Sequence, residues 1–351
     1  MSFSMDLEIR DFLAVREALF KWDSDACILV GANGSGKTQI LDLIFTMFYA
    51  SWRAKSKIDK TTDKNAFINT LRDVFLLRYR KDTPIIGALR NWQGKALHVN
   101  GQIITKRNHI IKVNMKETGS KRLIGFFFNG QFRSVPITYF SVLPLEYYRG
   151  IVALNTMSPK WRVIPFSKSE FIVRLFATYN DTYTGMPQVL KKSFEQKFGV
   201  SNVFIDNIQI KLTISGNTFS IERAASGLKG LASIYLAIKH GLINEDTELI
   251  IIDEPEVSLH PSWTYKFVEW LVEVMKHFRL KMLIATHSPL IIDSFNIMLK
   301  KRQLKRITVG TAKRSQYGFD WEFKDFDKDS LAEVFNLLNS YFDIVNNLYS
   351  A

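Results

Sequence analysis

Gly31-Ala-Asn-Gly-Ser-Gly-Lys37-Thr38 is the strongest structural signal in this chain. The apolar run Ala26–Val30 precedes it, and Gln39–Phe45 follows it with the pattern of a helix. A strand, a glycine-rich turn and a helix in this order are the context that a phosphate-binding loop requires. The glycines let the backbone curl so that several N–H groups face one anion, and the helix N-terminus adds partial positive charge.

Six residues of this loop are candidate nucleotide ligands. Lys37 is long enough to reach the outer phosphates, and the Thr38 hydroxyl is a suitable ligand for Mg²⁺. The alternative is a chance glycine turn, but the motif and both flanking elements match together. The predicted ligands are Asn33, Gly34, Ser35, Gly36, Lys37 and Thr38.

A second element of a nucleotide site lies at Asp253 and Glu254. The run Leu249–Asp253 is an apolar strand with an aspartate at its carboxyl end, where open α/β sheets bind their ligands. We expect Asp253 to help hold Mg²⁺ and Glu254 to orient and polarise the attacking water. The alternative is an acidic cap on a buried strand, which is common by itself.

His287 and the pair Ser226-Gly227 complete the candidate site. His287 follows the predicted strand Met282–Thr286, where an imidazole can donate to a γ-phosphate oxygen or support the general base. Ser226 and Gly227 stand directly before an apolar helix, whose N-terminus can grip phosphate. Alone, the histidine is more often structural and the serine is an ordinary helix N-cap. Their order along the chain favours a functional site.

This ordered set of motifs resembles the ABC-type ATPases, which include the SMC and DNA-repair branch and the OLD-like ATPases of phage defence. The stretches Asp253-Glu-Pro-Glu-Val-Ser-Leu-His-Pro261 and Ala285-Thr-His-Ser-Pro289 are similar to the forms found in the OLD-like group. The resemblance implies Walker A at Gly31–Thr38, a signature at Ser226-Gly227, Walker B at Leu249–Glu254, a D-loop at Pro255–Pro261 and a switch histidine at His287.

The resemblance implies an enzyme that slowly hydrolyses ATP and uses Mg²⁺. It also implies a head-to-tail homodimer, or a higher even oligomer, with two ATP molecules sandwiched between subunits. Lys37 and Thr38 of one subunit would then face Ser226 and Gly227 of the other. Gln131 is the candidate for the glutamine that contacts Mg²⁺ and water in this family.

The chain departs from parts of this family. Its signature lacks the leucine and the paired glycines of transporter proteins, which disfavours a transporter subunit. It has no long heptad region, so we expect no SMC-style arm. We also find no counterpart of the metal-dependent nuclease domain that follows the ATPase in long OLD-type proteins.

The net charge of +13 is concentrated in one segment. Residues 50–125 hold 17 Lys and Arg against 5 Asp and Glu. Interspersed aromatic residues suit this segment to nucleic acid, while a solvated surface or an acidic protein partner is the alternative. These aromatic residues are Trp52, Phe75, Tyr79 and Trp92. A second basic cluster consists of Lys300, Lys301 and Arg302, with Lys305 and Arg306.

Composition limits the remaining classes. With 351 residues and 46% hydrophobic composition, the chain can form one large domain or two smaller ones. Its single cysteine, Cys27, excludes an intrachain disulfide, and we expect it to be a buried thiol in a reducing cytoplasm. No apolar run approaches the ~18–20 residues that span a bilayer, and the N-terminus lacks a signal-peptide pattern. We therefore expect a cytoplasmic protein without a membrane partner.

The predicted fold is α/β, a P-loop ABC-type ATPase head with a mixed sheet, an antiparallel β lobe and a helical insertion. Residues 1–50 and 200–351 form the predicted ATPase core, and residues 51–199 form the inserted basic β lobe and helical subdomain. Hairpin signals between about residues 95 and 140 indicate the β lobe. Predicted helices include Thr70–Leu77, much of 168–198, and the amphipathic segment Leu331–Leu348.

Two functions compete. The first is an anti-phage defence ATPase that senses infection and controls a separate effector protein, such as a nuclease or toxin. The second is a DNA-repair or chromosome-maintenance ATPase that binds DNA. The OLD-like motif forms and the missing nuclease domain favour the first.

Overall fold

The structure is a computed structural model that describes residues 3–57, 95, 97–106, 110–120, 123–126, 137–141, 185–206, 209–327 and 331–336. The chain divides into two compact units. The first unit contains Met1–Ile137, Lys281–Pro289 and Leu304–Ala351, and the second contains Thr138–Leu280 and Leu290–Gln303.

Strands and α-helices are numbered in chain order. The strands are β1 (Ser4–Phe12), β2 (Val15–Trp22), β3 (Ala26–Val30), β4 (His98–Ile104), β5 (Ile110–Ser120), β6 (Leu123–Phe126), β7 (Ile137–Ser141), β8 (Val200–Asp206), β9 (Gln209–Ile214), β10 (Asn217–Ser220), β11 (Leu249–Asp253), β12 (Lys281–Thr286), β13 (Ile307–Ser315) and β14 (Gly318–Asp325). The α-helices are α1 (Lys37–Lys57), α2 (Gln188–Phe198), α3 (Ser226–Lys239), α4 (Pro261–Phe278) and α5 (Pro289–Lys300). Short 3-10 turns lie at Ile221–Arg223 and Pro255–Ser258, and residues 331–336 are helical.

The first unit is built on a mixed sheet with the strand order β6-β5-β4-β1-β2-β14-β13-β3-β12. The strands β6, β5, β4, β1 and β2 pair antiparallel, which gives the predicted β lobe. In contrast, β3 runs parallel to both β12 and β13. Every residue of β3 and β12 is buried, as expected for parallel strands that are covered on both faces.

Phe3, directly before β1, and Trp22 of β2 contribute to the core beside helix α1. Phe3 packs edge-on against Trp22, with ring centroids 5.6 Å apart. The ring of Phe3 also lies 6.4 Å from that of Phe48 on α1. Cys27, the second residue of the apolar strand β3, is fully buried, and burial raises the pKa of its thiol. The prediction of a buried cysteine is therefore confirmed.

The second unit has its own core and a small sheet. Strands β8, β9 and β10 form an antiparallel three-stranded sheet, and β11 lies beside β7 in strand order. The core is an aromatic cluster from helices α2, α3 and α4. Its centre is Phe194, whose ring lies 4.9 Å from Tyr235 and 4.8 Å from Trp270.

The predicted α/β class, mixed sheet and antiparallel lobe are confirmed. Two strands, β2 and β8, were not predicted. The turn before β2 contains no glycine. Asp11 and Leu13 nevertheless take positive φ angles, 57° and 52°, which glycine adopts more easily. In β8, the pairing register shifts between Val200 and Asn202, which disturbs the apolar alternation.

Some predictions fall outside the described residues. These are the helix Thr70–Leu77, the part 168–184 of the predicted helical segment 168–198, the candidate Gln131 and the C-terminal part of the helix Leu331–Leu348. Most of the basic segment 50–125 also lies outside the described residues. The predicted division into a core and the insertion 51–199 stays a prediction. Within the described residues, no helix is long and apolar enough to cross a membrane.

Candidate nucleotide site

The loop 31–38 of the first unit connects the end of β3 to the start of α1. Gly34 and Gly36 have φ angles of 78° and 95°, in the region that favours glycine. At Gly36 a Cβ atom would lie only 2.7 Å from Cγ2 of Val15, so this position has no space for a side chain. The sequence therefore folds at this point into the close backbone turn that a phosphate requires.

Lys37 is buried inside this loop, with 5% of its surface exposed. Its Nζ donates hydrogen bonds to the carbonyl oxygens of Gly31 (2.8 Å) and Ala32 (3.2 Å). The first turn of α1 contains no acidic residue, so no carboxylate competes with an anion at the helix N-terminus. A shielded cation, an N-terminal helix turn and a glycine backbone suit the phosphates of a nucleotide.

The other predicted loop ligands differ in exposure. Asn33 and Gly34 are exposed, whereas Thr38 is half-buried at the start of α1. Ser35 is fully buried, and its N–H donates to the Ala32 carbonyl over 3.2 Å. The Ser35 hydroxyl has no hydrogen-bond partner in the described part of the chain. The exposed and half-buried residues are thus accessible to a ligand, whereas the Ser35 side chain is packed inside the loop.

His287 lies at the same edge of the first unit's sheet as the loop. Strand β12 is parallel to β3, and Thr286 is in register with Val30. His287 and Gly31 therefore follow neighbouring strand ends. The residue is exposed, and the turn after it is fixed by a 3.0 Å bond from the Ser288 N–H to the Thr286 hydroxyl. The structure thus brings together the loop and the predicted switch histidine within one unit.

Asp253 and Glu254 lie in the second unit, at the carboxyl end of β11. Asp253 is 5% exposed, and all five residues of β11 are buried. Glu254 has a left-handed conformation, with φ 49° and ψ 58°, which costs a non-glycine residue about 1–2 kcal/mol. Local strain of this kind is concentrated at functional sites. The turn Pro255–Ser258 follows directly.

The second unit also contains Ser226 and Gly227, in the first turn of α3. The N-cap of this helix is Ala225, and no side chain caps the helix. Ser226 is therefore not the ordinary N-cap that the sequence left open as an alternative. Helix α3 contacts the turn Pro255–Ser258. His260, further along the motif, caps helix α4 by accepting from the Ser262 N–H.

Sequence reasoning missed two contacts that support the loop. The indole Nε1 of Trp321 donates to the Ser35 carbonyl over 3.1 Å, and Gln39 Oε1 accepts from the Ala14 N–H over 3.0 Å. Trp321 is 286 positions from Ser35, and no sequence signal connects them. Gln39 directly follows the loop motif, so the sequence alone could predict its position in the first helical turn.

The described residues contain no group of three or more His, Cys, Asp and Glu that could hold a metal ion. A magnesium ion bound with a nucleotide takes most of its ligands from phosphate and water. Within the first unit the Thr38 hydroxyl is of a type that suits such an ion, and within the second unit the buried Asp253 carboxylate is of such a type.

Comparisons with known proteins agree with the motif analysis. The AAA ATPase domain family matches residues 160–292, a range that contains Ser226, Asp253, Glu254 and His287 but not the loop 31–38. No curated protein matches the chain.

Solved structures resemble the chain over most of its length. An SMC head domain with an extended coiled coil, bound to the C-terminal domain of ScpA and derived from Pyrococcus furiosus, is 11% identical with a TM-score of 0.52. That alignment covers 96% of this chain and 99% of the other. An SMC head bound to the C-winged helix domain of ScpA is 13% identical with a TM-score of 0.50, over 93% of this chain and 99% of the other. The SMC head domain from Thermotoga maritima is 14% identical with a TM-score of 0.48, over 92% and 98%.

These findings define the class of protein. The AAA ATPase match makes the chain an ATPase, which confirms the predicted enzyme class. The first two solved structures show that it has the α/β fold of SMC head domains.

Proposed function

We propose that this ATPase is a switch that binds ATP with Mg²⁺ and dimerises while the triphosphate is intact. The observation that carries the proposal is the loop 31–38 with its buried Lys37. In this role the loop N–H groups and Lys37 bind the phosphates, and Thr38 and Asp253 ligate the metal. The bound magnesium would neutralise charge that develops on the phosphates.

Hydrolysis in this proposal depends on Glu254 and His287. Glu254 orients and polarises the attacking water, and its strained backbone between the buried Asp253 and Pro255 supports a functional rather than a structural role. His287 donates to the γ-phosphate or supports the base. Its position beside the loop in the first unit supports this assignment.

Two variants test the chemistry. We expect Lys37→Ala to abolish nucleotide binding, because no other described cation lies inside the loop. We expect Glu254→Gln to keep ATP binding, to lose at least about 100-fold in hydrolysis and to remain dimeric in ATP. Isothermal titration, phosphate release and light scattering measure the three properties. Hydrolysis at the normal rate in Glu254→Gln would falsify the assigned base.

The head-to-tail arrangement can be tested by complementation. Subunits with Lys37→Ala lack a working loop, and subunits with Ser226→Arg lack a working signature. A mixed dimer contains one site made from the intact loop of one subunit and the intact signature of the other. Equal mixing should restore about a quarter of the wild-type activity, since half the dimers are mixed and each has one good site. No activity above that of the separate variants would contradict shared sites.

The cellular role that we propose is a cytoplasmic sensor of phage infection that restrains or triggers a separate nuclease or toxin. The OLD-like forms of the Walker B and histidine motifs support it. Co-purification with the product of a neighbouring gene, measured by native mass spectrometry, tests this role. If the protein binds DNA ends alone, tightly and only with ATP, it is instead a DNA-maintenance ATPase.

One observation favours this second function. Lys300, Lys301 and Arg302 at the end of α5 are exposed, and none is paired with a carboxylate among the described residues. Lys301 donates only to a neutral group, the Tyr265 hydroxyl, over 2.9 Å. By contrast Lys211, in the same unit, is paired with Asp206. The unpaired cluster is suited to phosphates of nucleic acid.

A salt series separates the two functions. If DNA binds this cluster, Lys300→Gln should weaken binding and reduce the salt slope by about one ion. The paired Lys211→Gln should change neither, and serves as the control. Absence of any salt-dependent affinity in the wild type removes the DNA-binding function.

A further inference from the structure

Trp321 supports the phosphate loop from a distant part of the chain. It lies on β14 in the first unit and is 3% exposed. Its Nε1 donates to the backbone carbonyl of Ser35 over 3.1 Å, and both groups are buried. The loop is therefore connected by a hydrogen bond to the hairpin of β13 and β14.

The indole ring is itself held in place. Trp321 stacks on Phe323 with the ring planes 27° apart, and Phe323 packs at 4.5 Å on Phe20 of β2. On β13, Ala312 is the register partner of Trp321. A Cβ atom on Gly31 would lie 3.0 Å from the Ala312 Cβ, so this hairpin packs directly against the loop.

The hydrogen bond has a consequence for the next residue. The peptide group that joins Ser35 and Gly36 is planar and trans, so its carbonyl and its N–H point in opposite directions. Because the Ser35 carbonyl is directed at the indole, the Gly36 N–H is directed away from the hairpin. Gly36 has φ 95°, and because glycine lacks a Cβ its own backbone preferences restrict this peptide plane less than those of other residues would.

We propose that Trp321 is a positioning residue that fixes the Ser35–Gly36 peptide plane so that the Gly36 N–H faces the bound phosphate. This inference rests on the proposed nucleotide function of the loop. A carbonyl left without its donor is free to turn, and the N–H turns with it. The loop then presents one fewer oriented donor to the anion.

Trp321→Phe tests the inference because it removes the N–H donor and keeps an aromatic ring. We expect the Kd for ATP to rise about three- to tenfold, the effect of one oriented hydrogen bond. Titration calorimetry measures this Kd, and irreversibly inactive protein lowers the fitted stoichiometry and not the Kd.

The chain offers a matched control. Trp270 is fully buried in the second unit, and its indole Nε1 also donates to a backbone carbonyl, that of Leu190, over 3.3 Å. Trp270→Phe should lower the unfolding midpoint as much as Trp321→Phe does, while its Kd for ATP stays within about twofold of wild type.

Two results overturn the inference: an unchanged Kd in Trp321→Phe, or an equal rise in Trp270→Phe. Lys37→Ala, measured in parallel, separates this from a failure of the proposed function. If Lys37→Ala abolishes binding and Trp321→Phe does not weaken it, only the role of Trp321 is wrong. If Lys37→Ala binds ATP normally, the loop is not the nucleotide site.

Discussion

Gly31 is the residue of the loop at which a side chain would cause the most crowding against neighbouring side chains. A Cβ atom there would lie 2.7 Å from Oγ of Ser35 and 3.0 Å from Cβ of Ala312. Neither neighbour is the flexible end of a long side chain. Gly31 is therefore required by packing alone, Gly34 by its positive φ angle, and Gly36 by both.

This crowding predicts an interaction between two substitutions. Gly31→Ala should destabilise the protein by about 1–3 kcal/mol, the usual cost of overpacking. Ser35→Ala removes the buried hydroxyl that lacks a partner, and should be neutral or stabilising by up to about 1 kcal/mol. The double variant should recover part of the Gly31→Ala loss, since the nearest clashing atom is gone. Urea unfolding of all four proteins measures the cycle; strict additivity would contradict the contact.

The loop also shows which residues of a site can be predicted from the sequence. Lys37 and Thr38 were predicted as ligands because the residues of such a loop are close in sequence and obey a fixed spacing. The donor to the Ser35 carbonyl was not found, because Trp321 comes from the far end of the chain and looks like any core tryptophan. Local motifs identify ligands, while the groups that orient them depend on tertiary pairing.

At the scale of elements, helix α4 ends without the expected glycine. Arg279 takes the left-handed conformation with φ 52°, and the Leu280 N–H bonds back to the Met275 carbonyl over 3.1 Å. This is the Schellman arrangement, in which the left-handed residue is usually glycine. An arginine in this conformation carries backbone strain.

Arg279→Gly should therefore stabilise the protein by about 0.5–1 kcal/mol, the strain relieved less the extra freedom of glycine when unfolded. Arg279→Ala, which keeps the strain, should give no gain. The urea midpoint measures both variants. ATP hydrolysis should be unchanged, since Arg279 is outside the proposed site; a less stable Arg279→Gly would show that the arginine side chain makes a contact worth more than the strain.

Elements with a clear apolar pattern were predicted well, and these include the strands β3, β11 and β12 and helix α3. The strand β2 was missed because its hairpin turn uses Asp11 and Leu13 at positive φ. Aspartate tolerates this conformation, but leucine rarely adopts it and the turn holds no glycine or asparagine, so the turn signal in the sequence is weak. Prediction failed where backbone conformation was imposed by packing and not by residue type.

At the scale of the whole molecule, the candidate residues are divided between the two units. The loop and His287 belong to the first unit, whereas Asp253, Glu254, Ser226 and Gly227 belong to the second. Their order in the sequence was enough to predict the class of enzyme. It could not indicate this division, because each unit is assembled from segments that are far apart in the chain.

Cys27 allows the stability of the first unit to be followed in the intact protein. It is the single cysteine, it is fully buried in β3 directly before the loop, and burial raises the pKa of its thiol. Since the thiolate is the reactive form, a thiol reagent at neutral pH should modify Cys27 only when the unit opens.

Nucleotide that binds the loop should slow this modification. Ligand present at 100 times its Kd lowers the open fraction about 100-fold, so the labelling rate should fall by a similar factor in ATP. The rate of mass increase in a time series measures it. Lys37→Ala should show no protection, because it does not bind the ligand that stabilises the closed form. Two results would mean that β3 and the loop are not one cooperative structure. One is rapid labelling of the folded protein, and the other is a labelling rate that ATP does not change although the protein binds ATP.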